Sequence, residues 1–264
     1  MDDKGHESGH LMLITPERVF YAGLLGRPRE RCPGSLHIYV AIKDGLWLST
    51  ADGREAYGEL VATAPNLRHT IASDHRSAIC VSIEPESVRA GTLDDLIRRV
   101  SGTEREFFAR RIRTAYEELR SRKCGNDVTS ADFDQMCFGE ALPRRVLDPR
   151  VVRAMAQIGR FSGEPVTAAS CAAEAALSAS RFLHLFKQET GISFRSFRAW
   201  KRARHLLHFA NQDLNLAHLA QDIGYPDSTH FSHSIRRFYG LKPRAIFSGS
   251  RDLAIYRSGE AAFS

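Results

Sequence analysis

The sequence predicts an α+β protein, with an antiparallel β-barrel at the N-terminus and an all-α C-terminal domain that holds two helix-turn-helix units. Two observations predict this division. Residues 11–84 contain short apolar segments separated by turn residues, which is typical of an antiparallel barrel or sandwich. Residues 165–247 carry one helical pattern twice, and each copy closes on a glycine. With 264 residues, the chain is long enough for two domains.

The strands are predicted from short apolar runs between turns. Residues 37–42 form one predicted strand, residues 43–45 a hairpin turn and residues 46–48 the next strand. Ser77–Ile83 is the clearest strand in the sequence. Many short strands at close spacing favour an antiparallel barrel.

Between residues 92 and 122 the apolar residues change to a helical period. Two stripes are predicted to be buried, and they consist of Leu93, Leu96, Ile97 and Val100, then Phe108, Ile112, Ala115 and Leu119. The outer face of the second helix is dense with charge, so this helix either packs on its own barrel or joins two copies of the chain. Residues 123–145 are polar and read as a linker with one short helix at 132–136. Asp148 and Pro149 then begin a further helix.

In each C-terminal copy a short helix, a tight turn and a second helix follow one another. Ser178 and Asp227 are suited to begin the second helices, and Gly191 and Gly240 to end them. In a helix-turn-helix the second helix lies in the major groove of DNA. Residues 194–210 are predicted to be one continuous helix, roughly 25 Å long, that holds the two second helices about one DNA turn apart. Its basic residues are expected to stay outside, and they are Arg195, Arg198, Lys201, Arg202 and Arg204.

The polar face of each second helix supplies the candidate DNA-binding residues. They are Ser180, Arg181, His184 and Lys187 in the first unit, and Ser228, Thr229, His230, His233 and Arg237 (or Arg236) in the second. Guanidinium, imidazole, hydroxyl and ammonium groups are those that base edges and phosphates accept. Each residue on its own could equally be a solvated polar side chain. His184 and His233 lack partner ligands at a useful spacing, so no metal is expected.

The charge is distributed unevenly. Residues 150–248 hold 14 Lys and Arg against 6 Asp and Glu, a net of +8, whereas the whole chain has a net charge of +6. A basic C-terminal domain beside a nearly neutral N-terminal one is the electrostatic layout of a DNA reader with a regulatory half. The scattered cysteines indicate reduced thiols in the cytoplasm, and no apolar run is long enough for a signal peptide or a membrane span. These cysteines are Cys32, Cys80, Cys124, Cys137 and Cys171.

Residues 148–247 resemble the DNA-binding domain of the AraC family of bacterial transcription regulators. The matching residues are Leu177-Ser178, Arg181-Phe182, Phe186-Lys187, Gly191-Ile192-Ser193, Ala220, Gly224-Tyr225, Asp227, Phe231-Ser232 and Gly240-Leu241-Lys242-Pro243. His233 and Ile235 depart from the family, which usually has arginine and phenylalanine there. The resemblance implies a regulator that binds double-stranded DNA, and we expect it to be a homodimer.

Members of the AraC family often have an N-terminal cupin-like barrel that binds an effector, and residues 11–84 resemble it. The predicted domains are a cupin-like effector-binding barrel at 1–90, a helical dimerisation and linker region at 91–147, the DNA-binding domain at 148–248 and a tail at 249–264. The histidine pair and carboxylate of a metal-dependent cupin enzyme are missing near the first strands, where Arg27 to Arg31 stand instead. We therefore expect no catalytic residues, no metal and no cofactor.

A cluster of arginines marks the predicted effector site. The candidate residues are Arg27, Arg29, Arg31, Arg68 and His69, and Arg18 and Arg76 are expected nearby. Arginine suits phosphate or carboxylate. Arg27 and Arg31 also have the RxxxR spacing by which PilZ domains bind cyclic di-GMP, although the second PilZ signature is absent. Cyclic di-GMP is therefore the candidate effector; a neutral sugar or aromatic effector, solvated surface arginines, and a cupin enzyme fused to a DNA reader are the alternatives.

Overall fold

The computed structural model describes residues 9–121, 128–160, 166–248 and 252–258. Within these ranges the N-terminal strands are β1 (Leu11–Ile14), β2 (Arg18–Leu24), β3 (Leu36–Ala41), β4 (Leu46–Thr50), β5 (Glu55–Gly58), β6 (Leu60–Thr63), β7 (His69–Ser73) and β8 (Ser77–Ile83). One further strand, β9 (Ala254–Arg257), follows all the helices. The strands form a six-stranded sheet in the order β6-β3-β8-β2-β1-β9 and a three-stranded sheet in the order β5-β4-β7. The predicted α+β class is confirmed.

The predicted hairpin at residues 43–45 is wrong. Strand β3 pairs with β6 on one side and β8 on the other, whereas β4 pairs with β5 and β7 in the second sheet. Both edges of β3 are thus occupied, and all six of its residues are buried. The turn, with Asp44 at φ 56°, therefore carries the chain from one sheet to the other.

Three helices cover the six-stranded sheet. They are α1 (Thr92–Ser101), α2 (Arg105–Ser121) and α3 (Ser130–Phe138), the last being longer than the predicted short helix at 132–136. Phe108, Ile112 and Leu119 of α2 are buried in one cluster with Ile38 and Val81 of the sheet. The apolar stripe of α2 therefore packs on its own sheet, and its charged face remains exposed.

The C-terminal region is helical. Its elements are α4 (Pro149–Gly159), α5 (Ala168–Glu174), α6 (Ala179–Thr190), α7 (Phe194–His205), α8 (Leu216–Asp222), α9 (Ser228–Tyr239) and α10 (Pro243–Ser248). Ser178 and Asp227 cap α6 and α9 as predicted, since their side chains accept hydrogen bonds from the N–H groups of Arg181 and His230. Gly191 and Gly240 end these helices at φ 78° and 68°.

The predicted continuous helix over 194–210 is too long. Helix α7 ends at His205, and Leu206–Phe209 tighten into a 3₁₀ turn. Side-chain packing accompanies this change, because the ring of His205 lies 5.3 Å from that of Phe209 and 5.4 Å from that of His208. Twelve residues give α7 a length of about 18 Å.

The C-terminal strand returns to the N-terminal sheet. Strand β9 pairs in parallel with β1, Leu11 lying opposite Ala254 and Ile14 opposite Arg257. Just before β9, Leu253 is buried with Met12 of β1, and its carbonyl accepts a hydrogen bond from Asn211 at 3.1 Å. The segment that follows α10 is thereby tied to the N-terminal sheet and to the loop after α7.

Across the four described ranges, no helix has the length and apolar character needed to cross a membrane.

Candidate nucleic-acid interface and the pocket beside it

Helices α6 and α9 are both amphipathic. Phe182 and Phe186 of α6 are fully buried, as is Ile235 of α9. The candidate DNA-binding residues lie on the opposite faces, and all of them are exposed: Ser180, Arg181, His184, Lys187, Ser228, Thr229, His230, His233, Arg236 and Arg237. Both helices therefore present a polar face to the solvent.

The turns that precede α6 and α9 have the same hydrogen bonds. In the first unit the N–H of Leu177 donates to the carbonyl of Ala172 at 2.9 Å, and in the second the N–H of Tyr225 donates to that of Ala220 at 2.8 Å. Ala176 and Gly224, which precede these donors, both have positive φ, at 54° and 81°. The two units are thus built on one local geometry, although their sequences differ at the critical turn position.

The first residues of α9 are fixed by Asp227. Its carboxylate accepts a hydrogen bond from the backbone N–H of His230 at 2.8 Å and lies 2.8 Å from Nδ1 of the same residue. These contacts lower the pKa of Asp227. The imidazole of His230 is therefore held at the N-terminal end of the helix, the end that contacts base edges in helix-turn-helix proteins.

Two basic residues of α7 that were expected to be exposed to solvent contact the N-terminal region instead. Lys201 Nζ lies 2.5 Å from both Glu84 and Glu86, and Arg204 Nε lies 3.1 Å from Glu84. Nε1 of Trp200 also donates to Glu84, at 3.0 Å. The expectation for Lys201 and Arg204 is wrong, because they pair with two buried carboxylates of the N-terminal region, Glu84 and Glu86.

We call this set of contacts the Glu84 cluster, consisting of Glu84, Glu86, Trp200, Lys201 and Arg204. Burial alone would raise the pKa of Glu84, but Lys201 and Arg204 lower it below its usual value. Burial raises the pKa of Glu86. Arg204 Nη2 also donates to the carbonyl of Thr15 at 2.6 Å. The cluster therefore holds α7 firmly against the N-terminal sheet.

A cavity of about 520 Å³ lies next to the Glu84 cluster, between the N-terminal sheets and the C-terminal helices. We call it the pocket. Its lining is largely apolar. The N-terminal region contributes Arg27, Arg29 and Arg31, and the C-terminal region contributes Arg236 and Tyr239 from α9, among others. Both regions are needed to close it.

The structure brings together only three of the five predicted effector residues. Arg27, Arg29 and Arg31 line the pocket. Arg68 does not, because it is exposed and pairs with Glu30 at 3.3 Å. His69 is buried behind Tyr39, to which it is hydrogen-bonded at 2.9 Å.

The neighbours expected for this cluster, Arg18 and Arg76, are also elsewhere. Arg18 is buried and bonds to Asp134 of α3 at 2.7 Å, so its charge is already neutralised. Arg76 occupies the β7–β8 turn at φ 58°, where its carbonyl accepts from the N–H of Leu25. Neither residue lines the pocket.

Arg31 is the unusual member of the lining. Only 8% of it is exposed, and its Nε has no hydrogen-bond partner among the residues that the structure describes. Its Nη2 has one long backbone contact, 3.4 Å to the carbonyl of Leu25, and residues 9–121, 128–160, 166–248 and 252–258 offer it no carboxylate. A buried guanidinium without a counter-charge is costly, since arginine stays protonated. The pocket therefore has a strongly positive inner end.

Two buried histidines stand behind Arg31. The Tyr39 hydroxyl lies 2.8 Å from His37 Nδ1 and 2.9 Å from His69 Nε2. Burial lowers the pKa of both imidazoles, to about 4 for His69, and the positive charge of Arg31 acts in the same direction. Both rings are consequently neutral at pH 7. No three His, Cys, Asp or Glu side chains in the described ranges are grouped so that they would hold a metal ion.

Comparisons with known proteins agree with the geometry of α5 to α10. Residues 171–248 match a family model described as a helix-turn-helix domain. The C-terminal region is an AraC-family helix-turn-helix domain. The matched residues include both second helices, α6 and α9, together with α7 between them.

One curated relative is the HTH-type transcriptional activator RhaS of Escherichia fergusonii. It is 33% identical over 157 residues, which are 54% of this chain and 55% of RhaS. The chain thus spans about half the length of the curated relative it matches.

The whole fold is similar to that of ToxT from Vibrio cholerae. A substituted apo ToxT has a TM-score of 0.57 at 11% identity and covers 88% of this chain and 97% of its own. A second ToxT structure has a TM-score of 0.54 at 10% identity, covering 88% and 98%. The likeness extends over the N-terminal sheets as well as the AraC-family domain, and at this identity it shows the fold alone.

His37 and Tyr39 were not predicted from the sequence as neighbours of the effector site. A signal was present, because residues two apart on a strand point to the same face. Tyr39 therefore accompanies His37 on β3, and His69 begins β7 of the other sheet. The proximity of the two strands, however, depends on how the sheets pack.

We expect Glu84→Gln to destabilise the protein by about 3–5 kcal/mol, because Arg204 would lose its buried counter-charge and Lys201 one of its two. Chemical unfolding followed by circular dichroism measures this change. Asp52→Asn is the control, since Asp52 forms an exposed pair with Arg54, and it should lower the stability far less than Glu84→Gln does. Equal effects of the two substitutions would show that the Glu84 cluster does not hold the AraC-family domain in place.

Proposed function

We propose that this protein is a sequence-specific DNA-binding transcription regulator whose DNA affinity is controlled by a small anionic effector. The observation that carries the DNA-binding part is the pair of helix-turn-helix units with matching turns and exposed polar helices. In such units the second helix enters the major groove and reads base edges with a few side chains. The match to the helix-turn-helix family model supports the same proposal.

The side chains on α6 and α9 suit direct reading of bases. Arg181 lies in the first turn of α6, where its backbone N–H donates to the cap Ser178 and its side chain is exposed. Arginine bonds to O6 and N7 of guanine with two hydrogen bonds. His233 lies one turn into α9 and is exposed. We assign base contacts to these two residues and further base or phosphate contacts to the other exposed candidates on the two helices.

Effector binding in the pocket can change DNA affinity, because the lining of the pocket contacts α9. The N–H of Cys32 donates to the carbonyl of Arg237 at 2.7 Å, so the segment that carries Arg27, Arg29 and Arg31 contacts the end of α9. A Cβ atom on Gly240 would approach the Arg29 carbonyl to 3.0 Å, which shows how closely the two segments pass. A ligand that binds one arrangement of these segments better than another changes the population of that arrangement, and with it the DNA affinity.

An anion with an apolar body fits the pocket best. The inner end has Arg31, to which no described residue offers a carboxylate, and most of the remaining lining is apolar. Arg27 and Arg31, which have the RxxxR spacing, both line it, so cyclic di-GMP remains the phosphate-bearing candidate and apolar carboxylates form the other class. A neutral sugar would leave Arg31 without a counter-charge.

We also propose a homodimer formed through the outer face of α2. Phe107 is 43% exposed there and lies beside Arg110, Arg111 and Glu118 around a shallow depression. Mixed charges around an exposed aromatic ring suit a self-complementary contact.

Sedimentation velocity tests this assignment, with Phe107→Glu expected to convert a dimer into a monomer. A variant that remains dimeric would exclude this face.

We expect Arg181→Ala and His233→Ala each to weaken binding to a DNA site selected from a random library. The loss should be about 5- to 150-fold, the range for one good base contact. Fluorescence anisotropy measures the affinity and circular dichroism the fold. Arg98→Ala and His75→Ala are the matched controls, because both residues are exposed in the N-terminal region and belong to none of the proposed sites. Wild-type affinity in either test variant would remove that residue from the interface.

We expect the double variant Arg27→Ala, Arg31→Ala to lose binding of anionic effectors. Isothermal calorimetry with cyclic di-GMP and with a panel of apolar carboxylates measures it, after a thermal-shift screen has identified which of them binds. Arg68→Ala is the control, since Arg68 pairs with Glu30 outside the pocket. Unchanged binding in the double variant, or an equal loss in Arg68→Ala, would contradict the assignment of the pocket.

A further inference from the structure

His37, Tyr39 and His69 are joined by hydrogen bonds in a chain that we call the relay. The relay gives the pocket a second polar group, beside Arg31, that can bind a ligand. We infer that the pocket selects an anion with an adjacent hydrogen-bond donor, such as a 2-hydroxy carboxylate, in which Arg31 binds the anion and His37 Nε2 accepts from the hydroxyl group. This inference rests on the proposed anionic effector and specifies its chemistry.

The direction of the relay follows from its buried end. His69 Nδ1 lies 2.9 Å from the carbonyl oxygen of Leu67, which only accepts, so Nδ1 carries the proton. A neutral imidazole has one N–H, and His69 Nε2 therefore accepts from the Tyr39 hydroxyl at 2.9 Å. The Tyr39 oxygen has then used its only proton, and it accepts from His37 Nδ1 at 2.8 Å. His37 Nε2 is left with a free lone pair.

The neutral state of both rings keeps this direction. Burial lowers the pKa of His69 to about 4 and that of His37 well below its usual value, and nearby Arg31 disfavours a second positive charge. The Cys80 thiol on the same wall also stays neutral, since burial raises its pKa to about 12. Proton donors are therefore directed away from the pocket along the relay, and an acceptor faces it.

His37 Nε2 is accessible from the pocket. His37 lines the cavity and is 7% exposed. Its Nε2 has no hydrogen bond to any described residue. The atom is not fully buried, so a ligand in the pocket can reach it. Arg31 approaches the same Tyr39 hydroxyl that His37 bonds to. The cation and the acceptor thus flank one phenol, and a ligand meets them together.

The chemistry of these two groups discriminates between ligands. A carboxylate satisfies Arg31 with two hydrogen bonds but leaves the His37 acceptor dehydrated and unpaired. A hydroxyl group next to the carboxylate supplies the missing donor. Sites built to bond a hydroxyl group disfavour analogues that lack it, and for this single contact we expect about a tenfold difference in affinity.

Matched ligands test the inference with the full-length chain. The probes are mandelate, phenylacetate and α-methoxyphenylacetate, together with 2-hydroxyoctanoate and octanoate, measured by calorimetry. The hydroxy acids should bind about tenfold tighter than their partners, and the methyl ether should behave as phenylacetate does. In His37→Phe the preference should vanish, and His37→Gln, which restores an acceptor, should recover part of it. Arg31→Gln should weaken all five probes.

The outcomes separate this inference from the proposed function. Carboxylates that bind in an Arg31-dependent manner without any preference for the hydroxyl group would overturn the inference and leave the anionic effector standing. If none of the five probes binds and Arg31→Gln has no effect on any anion, the anionic effector itself is wrong.

A ligand-free measurement tests the relay directly. Long-range ¹H–¹⁵N spectra distinguish the tautomers of histidine, and the signals are assigned with His37→Gln and His69→Gln. We expect both residues to be neutral at pH 7 with the proton on Nδ1, and Tyr39→Phe to shift His37 away from this tautomer. A His37 ring that is charged, or that carries its proton on Nε2, would donate into the pocket and overturn the inference.

Discussion

One short helix connects every functional part of this protein. Phe194 and Phe197 of α7 belong to the core of the first helix-turn-helix unit, and Trp200 and Ala203 belong to the core of the second. Lys201, on the same helix, pairs with Glu84 and Glu86 of the N-terminal region. Because protein cores are closely packed, α7 cannot rotate with respect to one unit without disturbing the others. The spacing of α6 and α9 and the position of the N-terminal sheet are therefore set by one element.

This arrangement also explains why the pocket lies where it does. The Glu84 cluster draws the second unit against the sheet, and the C-terminal strand β9 adds a backbone connection on β1. The gap that remains between the six-stranded sheet and residues 25–31 on one side and α7, α9 and α10 on the other forms the pocket. A ligand in this gap would contact both sides, so the effector that we propose would act on the second unit directly, without a long path through the protein.

The sequence predicted what depends on local pattern. The caps at Ser178 and Asp227, the αL glycines and the burial of Phe182 and Phe186 all follow from spacing within one helix and its ends. The exposure of Arg181 follows from the same periodicity. These features need no knowledge of distant contacts, which is why they were predictable.

The features that were missed depend on partners far along the chain. Arg204 meets Glu84 across 120 positions in the sequence, so the periodicity of α7 placed it outside. The predicted hairpin after β3 is wrong for a related reason. Both edges of β3 are occupied, one of them by β8, so no edge is left for β4. The clustering of Arg31 with His37 likewise depends on the packing of two sheets. Strand β9 pairs with a strand near the opposite end of the chain, and the local pattern of its own residues gave no indication of that partner.

A hydroxyl-radical footprint of the full-length protein on its selected DNA site tests the role of α7 most directly. Two recognition helices held at a fixed spacing should protect two segments on one face of the duplex, with their centres about 10–10.5 base pairs apart. A single protected segment, or two segments on opposite faces, would show that α7 does not hold the two units in register with the DNA.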